Sequence, residues 1–83
     1  MAKTIHSAQY KTFLKVLRNT RQRVGLTQTE LAEEIGKTQT YVSKCERGER
    51  RIDVLELRTF CAALGLSMKQ FVAKLEEALR QRG

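Results

Sequence analysis

The sequence predicts an all-α fold, a compact bundle of five helices, from its composition, the positions of its glycines and its length. The chain of 83 residues contains no proline, few aromatic residues and many residues of high helix propensity. Four of its five glycines follow helical patterns, at the position past a helix end where a left-handed backbone is favoured: Gly25, Gly36, Gly48 and Gly65. They divide the chain into five segments, and a chain of this length predicts one domain, spanning residues 1–83.

The first and fourth segments have the apolar spacing of amphipathic helices. The stripe of the first, over residues 7–24, consists of Tyr10, Phe13, Leu14 and Leu17. The fourth begins at Asp53, an N-cap residue with an acid three residues later. We expect it to bury a subset of Leu55, Leu57, Phe60, Cys61 and Leu64.

The fifth segment predicts a C-terminal helix over residues 67–80, capped by Ser67. Its apolar stripe consists of Met68, Phe71, Val72, Leu75 and Leu79. We expect the first three to belong to the core. The last two extend beyond the length that so small a domain needs, so they are candidates for a dimer interface. The least ordered residues are expected at 1–6 and 81–83.

The second and third segments are joined by three residues and form a helix-turn-helix core over residues 27–47. The second begins with a capping box, Thr27-Gln-Thr-Glu30, and the third runs from Thr38 to about Arg47. So short a joint requires a steep crossing, which Ala32 permits by its small size and Gly36 by its access to positive φ. The joint therefore predicts a fixed angle between the two helices.

The third segment has one polar and one apolar face at about 100° per residue. The polar arc of about 140° contains no acid and consists of Gln39, Thr40, Ser43, Lys44 and Arg47. The opposite, buried face is expected to consist of Tyr41, Val42 and Cys45. Amides, hydroxyls and bases are the groups that read the edges of base pairs. The preceding helix carries three carboxylates, and its first amides, at Gln28 and Thr29, are suited to bind a phosphate.

The net charge of +7 indicates a polyanionic partner, double-stranded DNA first and an anionic membrane second. Residues 1–26 hold six bases and no acid: Lys3, Lys11, Lys15, Arg18, Arg21 and Arg23. A solvated helix face is the simpler explanation of such runs of charge, so charge alone does not decide the function. The membrane alternative ranks low because the core needs the apolar faces. No apolar run is long enough to span a bilayer or to form the apolar region of a signal peptide, so we expect a soluble protein that is not exported.

Catalytic and metal-binding chemistry finds little support in the sequence. Cys45 and Cys61 lack the spacing of a metal site and are expected to be buried, and His6 stands alone. Ser43 and Lys44 point about 100° apart on a helix, so they do not form a nucleophile–base pair. We therefore expect no enzyme, cofactor, metal or small-molecule ligand.

The stretch GLTQTELAEEIGKTQTYVSKCERGE resembles the helix-turn-helix of the phage-repressor-like (Xre) family of DNA-binding proteins, and the similarity covers Val16 to Phe71. The resemblance implies a cytoplasmic, lambda-repressor-like domain of bacterial or phage origin whose helix 38–46 enters the major groove. It implies base contacts from Gln39, Thr40, Ser43 and Lys44. It implies phosphate contacts from Gln28, Thr29, Lys37, Arg47, Arg50 and Arg51. It also implies that Gln28 braces Gln39, and that Arg21 and Glu46 form a buried ion pair.

Three positions depart from the family pattern. Lys37 stands where the family usually has an apolar residue, Cys45 replaces a larger aliphatic residue, and the proline common before the fourth helix is missing. None of these removes the motif.

These observations predict a sequence-specific DNA-binding transcriptional regulator. We expect a repressor that binds a pseudo-palindromic operator as a homodimer, with Leu75 and Leu79 at the dimer interface. The alternative is a protein-binding module, such as the antitoxin partner of a toxin, with DNA binding as a second activity.

Overall fold

The computed structural model describes residues 7–82, with the side chain of Arg82 left aside, and this part of the chain contains five α-helices and no strand. The helices are α1 (Ala8–Val24), α2 (Gln28–Ile35), α3 (Gln39–Arg47), α4 (Val54–Leu64) and α5 (Met68–Arg82). The all-α prediction is therefore confirmed. The expectations for residues 1–6, including His6, and for residue 83 lie outside the described residues. The C-terminal helix ends two residues beyond the predicted limit at residue 80, because Gln81 and Arg82 continue it.

The helix ends lie where the sequence predicts them, because side chains satisfy the first amides of each helix. Capping boxes begin α2 at Thr27 and α4 at Asp53. Ser67 and Gln70 bond each other's backbone N–H groups at the start of α5. The first four helices end at glycines with positive φ: Gly25, Gly36, Gly48 and Gly65.

All five helices contribute to a single apolar core. Its most deeply buried side chains are Leu17, Leu31, Val42, Cys45, Phe60, Cys61 and Phe71. The rings of Phe13 and Phe71 pack in a T-shaped arrangement, with centroids 5.8 Å apart, and this contact joins α1 to α5. Burial raises the pKa of both the Cys45 and the Cys61 thiols, so the expectation that they are buried apolar residues is confirmed.

Two of the exposed apolar residues belong to the predicted apolar sets of their helices, Val72 and Leu55. The expectation that Val72 belongs to the core is wrong, because 43% of this residue is exposed. It follows Phe71, which is fully buried, and successive helical residues point about 100° apart. Leu55 is the member of its predicted set that stays at the surface, at 71% exposure.

The segment between α3 and α4 is held against α1. The Tyr10 hydroxyl accepts a hydrogen bond of 3.0 Å from the backbone N–H of Ile52. The guanidinium of Arg51 lies over the Tyr10 ring, 4.9 Å from its centroid. These contacts fix the chain as it leaves α3.

The helices described are all too short or too polar to cross a membrane. Within residues 7–82, no three His, Cys, Asp or Glu side chains form a group that could hold a metal ion.

Candidate nucleic-acid interface

The joint between α2 and α3 is fixed by its backbone. Gly36 adopts a φ of 72°, and its N–H donates to the Glu33 carbonyl while the N–H of Lys37 donates to the Ala32 carbonyl. Thr38 then caps α3, because its hydroxyl accepts a hydrogen bond of 3.1 Å from the N–H of Tyr41. The end of α2 and the start of α3 therefore have defined hydrogen-bond partners, and the orientation of α3 is set.

The residues of α3 divide between core and surface as their spacing predicts. Val42 and Cys45 are fully buried, and Glu46 is buried beside them. The surface side of the helix, which we call the α3 polar face, consists of Gln39, Thr40, Ser43, Lys44 and Arg47. All of these are exposed except Ser43, which is half-buried. The face thus presents side-chain donors and acceptors to solvent.

A buried ion pair ties the end of α3 to α1. Arg21 Nε lies 2.6 Å from Glu46 Oε2, and their side chains are only 9% and 2% exposed. A second nitrogen of Arg21 donates to Glu46 Oε1 at 3.1 Å, and a third donates to the Leu26 carbonyl at 2.7 Å. Both charges therefore have several hydrogen bonds, which a buried ion pair needs to offset its lost hydration.

This ion pair fixes the orientation of two amides at the surface. Gln28 donates its Nε2 to Glu46 Oε1 at 3.0 Å, because an ionised carboxylate only accepts hydrogen bonds. The Gln28 oxygen then faces outward and accepts a hydrogen bond of 2.8 Å from Gln39 Nε2. Gln39 keeps its own oxygen and one N–H without a partner among residues 7–82, and these are the acceptor and the donor that an adenine edge requires. Sequence reasoning missed the link to Glu46, which the spacing of Gln28 and Glu46 does not indicate.

The start of α2 offers backbone donors beside this amide pair. Thr27 and Glu30 satisfy each other's N–H groups in the capping box. The next two N–H groups, of Gln28 and Thr29, have no acceptor among the described residues. Free amides at the positive end of a helix dipole are suited to an anion.

Arg47 at the end of the α3 polar face is engaged by two neighbours. Its Nε donates to Glu49 Oε2 at 2.9 Å, and another nitrogen donates to Glu49 Oε1 at 3.2 Å. A third nitrogen donates to the Ser43 hydroxyl. The hydrogen bond from Arg47 lowers the pKa of the Glu49 carboxyl, with a smaller contribution from Lys44. Sequence reasoning missed this carboxylate beside the polar face, because the turn at Gly48 brings it back toward α3.

Tyr41 has two cations on its ring. Lys37 Nζ lies 5.2 Å and Arg50 Cζ lies 4.8 Å from the ring centroid. Arg50 also forms an ion pair with Glu56 at 3.0 Å. Burial, with a further contribution from Cys45, raises the pKa of Tyr41 to about 12, so the phenol stays neutral. The structure thus brings Lys37 and Arg50 together on one side of α3.

Arg51 lies on a different part of the surface from Arg50. It stacks on Tyr10 of α1 and lines a groove with Phe13, Leu75 and Leu79. The structure therefore places Arg51 beside the two residues predicted for a dimer interface, not on the α3 polar face.

Comparison with known proteins places this geometry in a family. A helix-turn-helix family model matches residues 17–71. The chain is 39% identical over 57 residues to an HTH-type transcriptional regulator of Sinorhizobium fredii, y4dJ, a stretch that covers 69% of this chain and 74% of the relative.

Solved structures agree with this assignment. An XRE-family like protein from Pseudomonas syringae pv. tomato superposes with a TM-score of 0.80 at 43% identity, over 89% of this chain and 90% of the other. The restriction-modification controller protein C.Esp1396I was solved as a tetramer with its natural 35-base-pair operator. It superposes with a TM-score of 0.81 at 26% identity, over 88% of this chain and 96% of the other. The clp gene regulator ClgR from Corynebacterium glutamicum superposes with a TM-score of 0.79 at 26% identity, over 92% of this chain and 81% of the other.

The fold, the α3 polar face and these relatives define a DNA-binding transcriptional regulator. The chain belongs to the Xre-like helix-turn-helix family, which is a family of DNA-binding regulators and not a class of enzymes.

Proposed function

We propose that this protein is a repressor that binds a pseudo-palindromic operator as a homodimer, with α3 in the major groove of each half-site. The observation that carries the proposal is the chain of hydrogen bonds from Arg21 through Glu46 and Gln28 to Gln39. It holds a surface amide in one orientation before any DNA is present, and a preorganised contact loses less entropy on binding.

The base contacts in this proposal come from the first two turns of α3. Gln39 reads an adenine through its free oxygen and N–H, and Lys44 donates to the acceptors of a guanine. Thr40 is exposed and offers a methyl and a hydroxyl group. Ser43 accepts from Arg47, so its own O–H is left to donate to an acceptor on the DNA.

Phosphate contacts flank these residues. Gln28 and Thr29 supply the free amides of α2, and Lys37 and Arg50 lie together against Tyr41. Arg47 completes the proposed set, and its partner in the free protein, Glu49, competes with a phosphate. Arg51 is left out of the set, because it lies over Tyr10 in the groove between α1 and α5. These contacts orient the protein on the duplex and carry no sequence information of their own.

The dimer in this proposal forms through the groove between α1 and α5. Leu75 and Leu79 are half-buried there, beside Phe13 and Tyr10. The solved complex of C.Esp1396I, a tetramer on a 35-base-pair operator, is a precedent within the fold for assembly on DNA. The alternative of an antitoxin-like module is not favoured by these relatives.

Selection of bound sequences from a random duplex pool tests the proposal. We expect one enriched motif with two-fold symmetry and half-sites about 34 Å apart, one turn of the double helix. Binding of the enriched duplex should weaken steeply with salt, because neutralised phosphates release counterions. A pool that shows no enrichment over the input would refute sequence-specific regulation.

A further inference from the structure

Three bases of α1 line one cleft with the end of α3. Lys11, Lys15 and Arg18 have the spacing i, i+4, i+7, which places them on one face of the helix. They form one wall of a cleft of about 530 Å³ whose other wall includes Arg47 and Glu49. We call it the α1–α3 cleft.

The three α1 charges in this wall are left unpaired within residues 7–82. All three α1 side chains are exposed, and none forms an ion pair with a carboxylate of residues 7–82. α1 itself contains no acidic residue. Like charges four residues apart destabilise a helix slightly, so an external polyanion that binds here removes a repulsion.

We propose that the α1–α3 cleft is a second phosphate-binding surface, in which Lys11, Lys15 and Arg18 contact the DNA backbone beside the segment that α3 reads. The inference rests on the proposed function. Arg47 connects the two surfaces, because it ends the α3 polar face and also lines the cleft. A DNA strand that leaves the recognition helix at Arg47 therefore passes directly along the basic face of α1.

Glu49 occupies the phosphate position on Arg47 in the free protein. Its backbone N–H donates to the Lys44 carbonyl at 2.9 Å, which fixes the residue just past the end of α3. Its two carboxylate oxygens bind two nitrogens of Arg47, as a phosphate would. Glu46 also lines the cleft, but its carboxylate is engaged by Arg21 and Gln28. A DNA phosphate that enters the cleft replaces Glu49 on Arg47.

Salt dependence of binding to a random-sequence duplex tests the cleft. The variants are Lys11→Gln, Lys15→Gln and Arg18→Gln, and fluorescence anisotropy gives log Kd against log salt for each. We expect each variant to flatten the slope by about one, the value of one lost phosphate contact. Lys69→Gln and Lys74→Gln are matched controls, because they remove the same charge from exposed positions of α5. Slopes equal to those of the controls would overturn the proposal.

A double-mutant cycle tests the role of Glu49. Glu49→Gln should raise affinity for the duplex roughly two- to fivefold, the range expected for an exposed charge pair. The same change in an Arg47→Gln background should give no such gain, because the competition for Arg47 is gone. An equal gain in both backgrounds would show that Glu49 acts only through net charge, and would refute its displacement by phosphate.

The outcomes separate this inference from the proposed function. If the unsubstituted chain binds a selected motif but the cleft variants behave as the α5 controls do, only the second phosphate surface is wrong. If the unsubstituted chain binds no duplex at all, the proposed function and this inference are both overturned.

Discussion

Two arginine–glutamate pairs lie at the end of α3, and burial makes them unequal. The Arg21–Glu46 side chains are 9% and 2% exposed, whereas those of Arg47 and Glu49 are 53% and 54% exposed. In the buried pair, loss of one partner leaves a charge without compensation, away from water. In the exposed pair, water replaces the lost partner at little cost.

Arg21→Ala should therefore lower the free energy of unfolding by about 3–5 kcal/mol, because the Glu46 carboxylate stays buried and unpaired. Urea denaturation measures the change. Arg47→Ala is the matched control and should change the stability little, since both of its partners are reached by water. Equal losses from the two substitutions would contradict the contrast in burial.

Glu56 gives the stability a dependence on pH. Its pKa is lowered from 4.5, first by the hydrogen bond from Arg50 and then by the backbone N–H of Asp53. A carboxyl whose pKa is lower in the folded state adds stability above its unfolded pKa. That stability is lost as the pH falls through the lower, folded value.

Thermal unfolding of Glu56→Gln between pH 7 and pH 3 tests this contribution. The variant should be less stable than the unsubstituted chain at pH 7, and the difference should shrink as the pH falls below 4.5. A difference that stays constant over this range would show that the loss comes from the changed cap and not from the charge.

At the scale of the elements, the joint between α2 and α3 decides where the α3 polar face points. Gly36 supplies its left-handed residue, with φ of 72° and open space where a Cβ would lie. Strain from the backbone is therefore the main cost of a side chain at this position.

Gly36→Ala should destabilise the protein by about 1 kcal/mol, since strain of about 1–2 kcal/mol is partly offset by the reduced entropy of the unfolded chain. Chemical denaturation measures it. Gly36→Asn should cost less, because asparagine adopts the left-handed region more readily. If Gly36→Ala left the stability unchanged and Gly36→Asn lowered it, steric contact and not the positive φ would be the cause of the loss.

The sequence predicts the helices well because their limits are local. Caps at Thr27 and Asp53 and the glycines at the ends of α1 to α4 act within a few residues, so spacing alone reveals them. Residue patterns are less informative where packing against another helix decides which residues are buried. The exposure of Val72 follows from what α5 packs against, and periodicity alone does not settle it.

The candidate site shows the same division. The polar face of α3 follows from helical periodicity and is confirmed. The link from Glu46 to Gln28 and the pairing of Glu49 with Arg47 depend on how side chains from different turns meet in space. The sequence contains those residues but does not show that they are neighbours.

At the scale of the whole molecule, the proposed dimer depends on the groove between α1 and α5. Leu75 packs against the core, whereas Leu79 lines the groove outside the core cluster. Leu79→Lys should therefore disrupt the proposed dimer with little effect on the fold.

Sedimentation equilibrium at tens of micromolar should find a dimer for the unsubstituted chain and a monomer for Leu79→Lys. Leu55→Lys is the matched control, because Leu55 is an exposed apolar residue of α4 and does not line the groove. Circular dichroism checks that each variant is folded. A monomeric unsubstituted chain, both free and on DNA, would contradict the proposed assembly.

The central claim is that the α3 polar face reads base pairs through an amide oriented from the core. Competition binding with operator duplexes changed one base pair at a time tests it most directly, for the unsubstituted chain and Gln39→Ala. We expect Gln39→Ala to lose about 1–3 kcal/mol of discrimination at one base pair of each half-site and to keep the rest. The exposed Gln22 on α1, changed to alanine, should alter no position. An unchanged preference at every base pair in Gln39→Ala would contradict the claim.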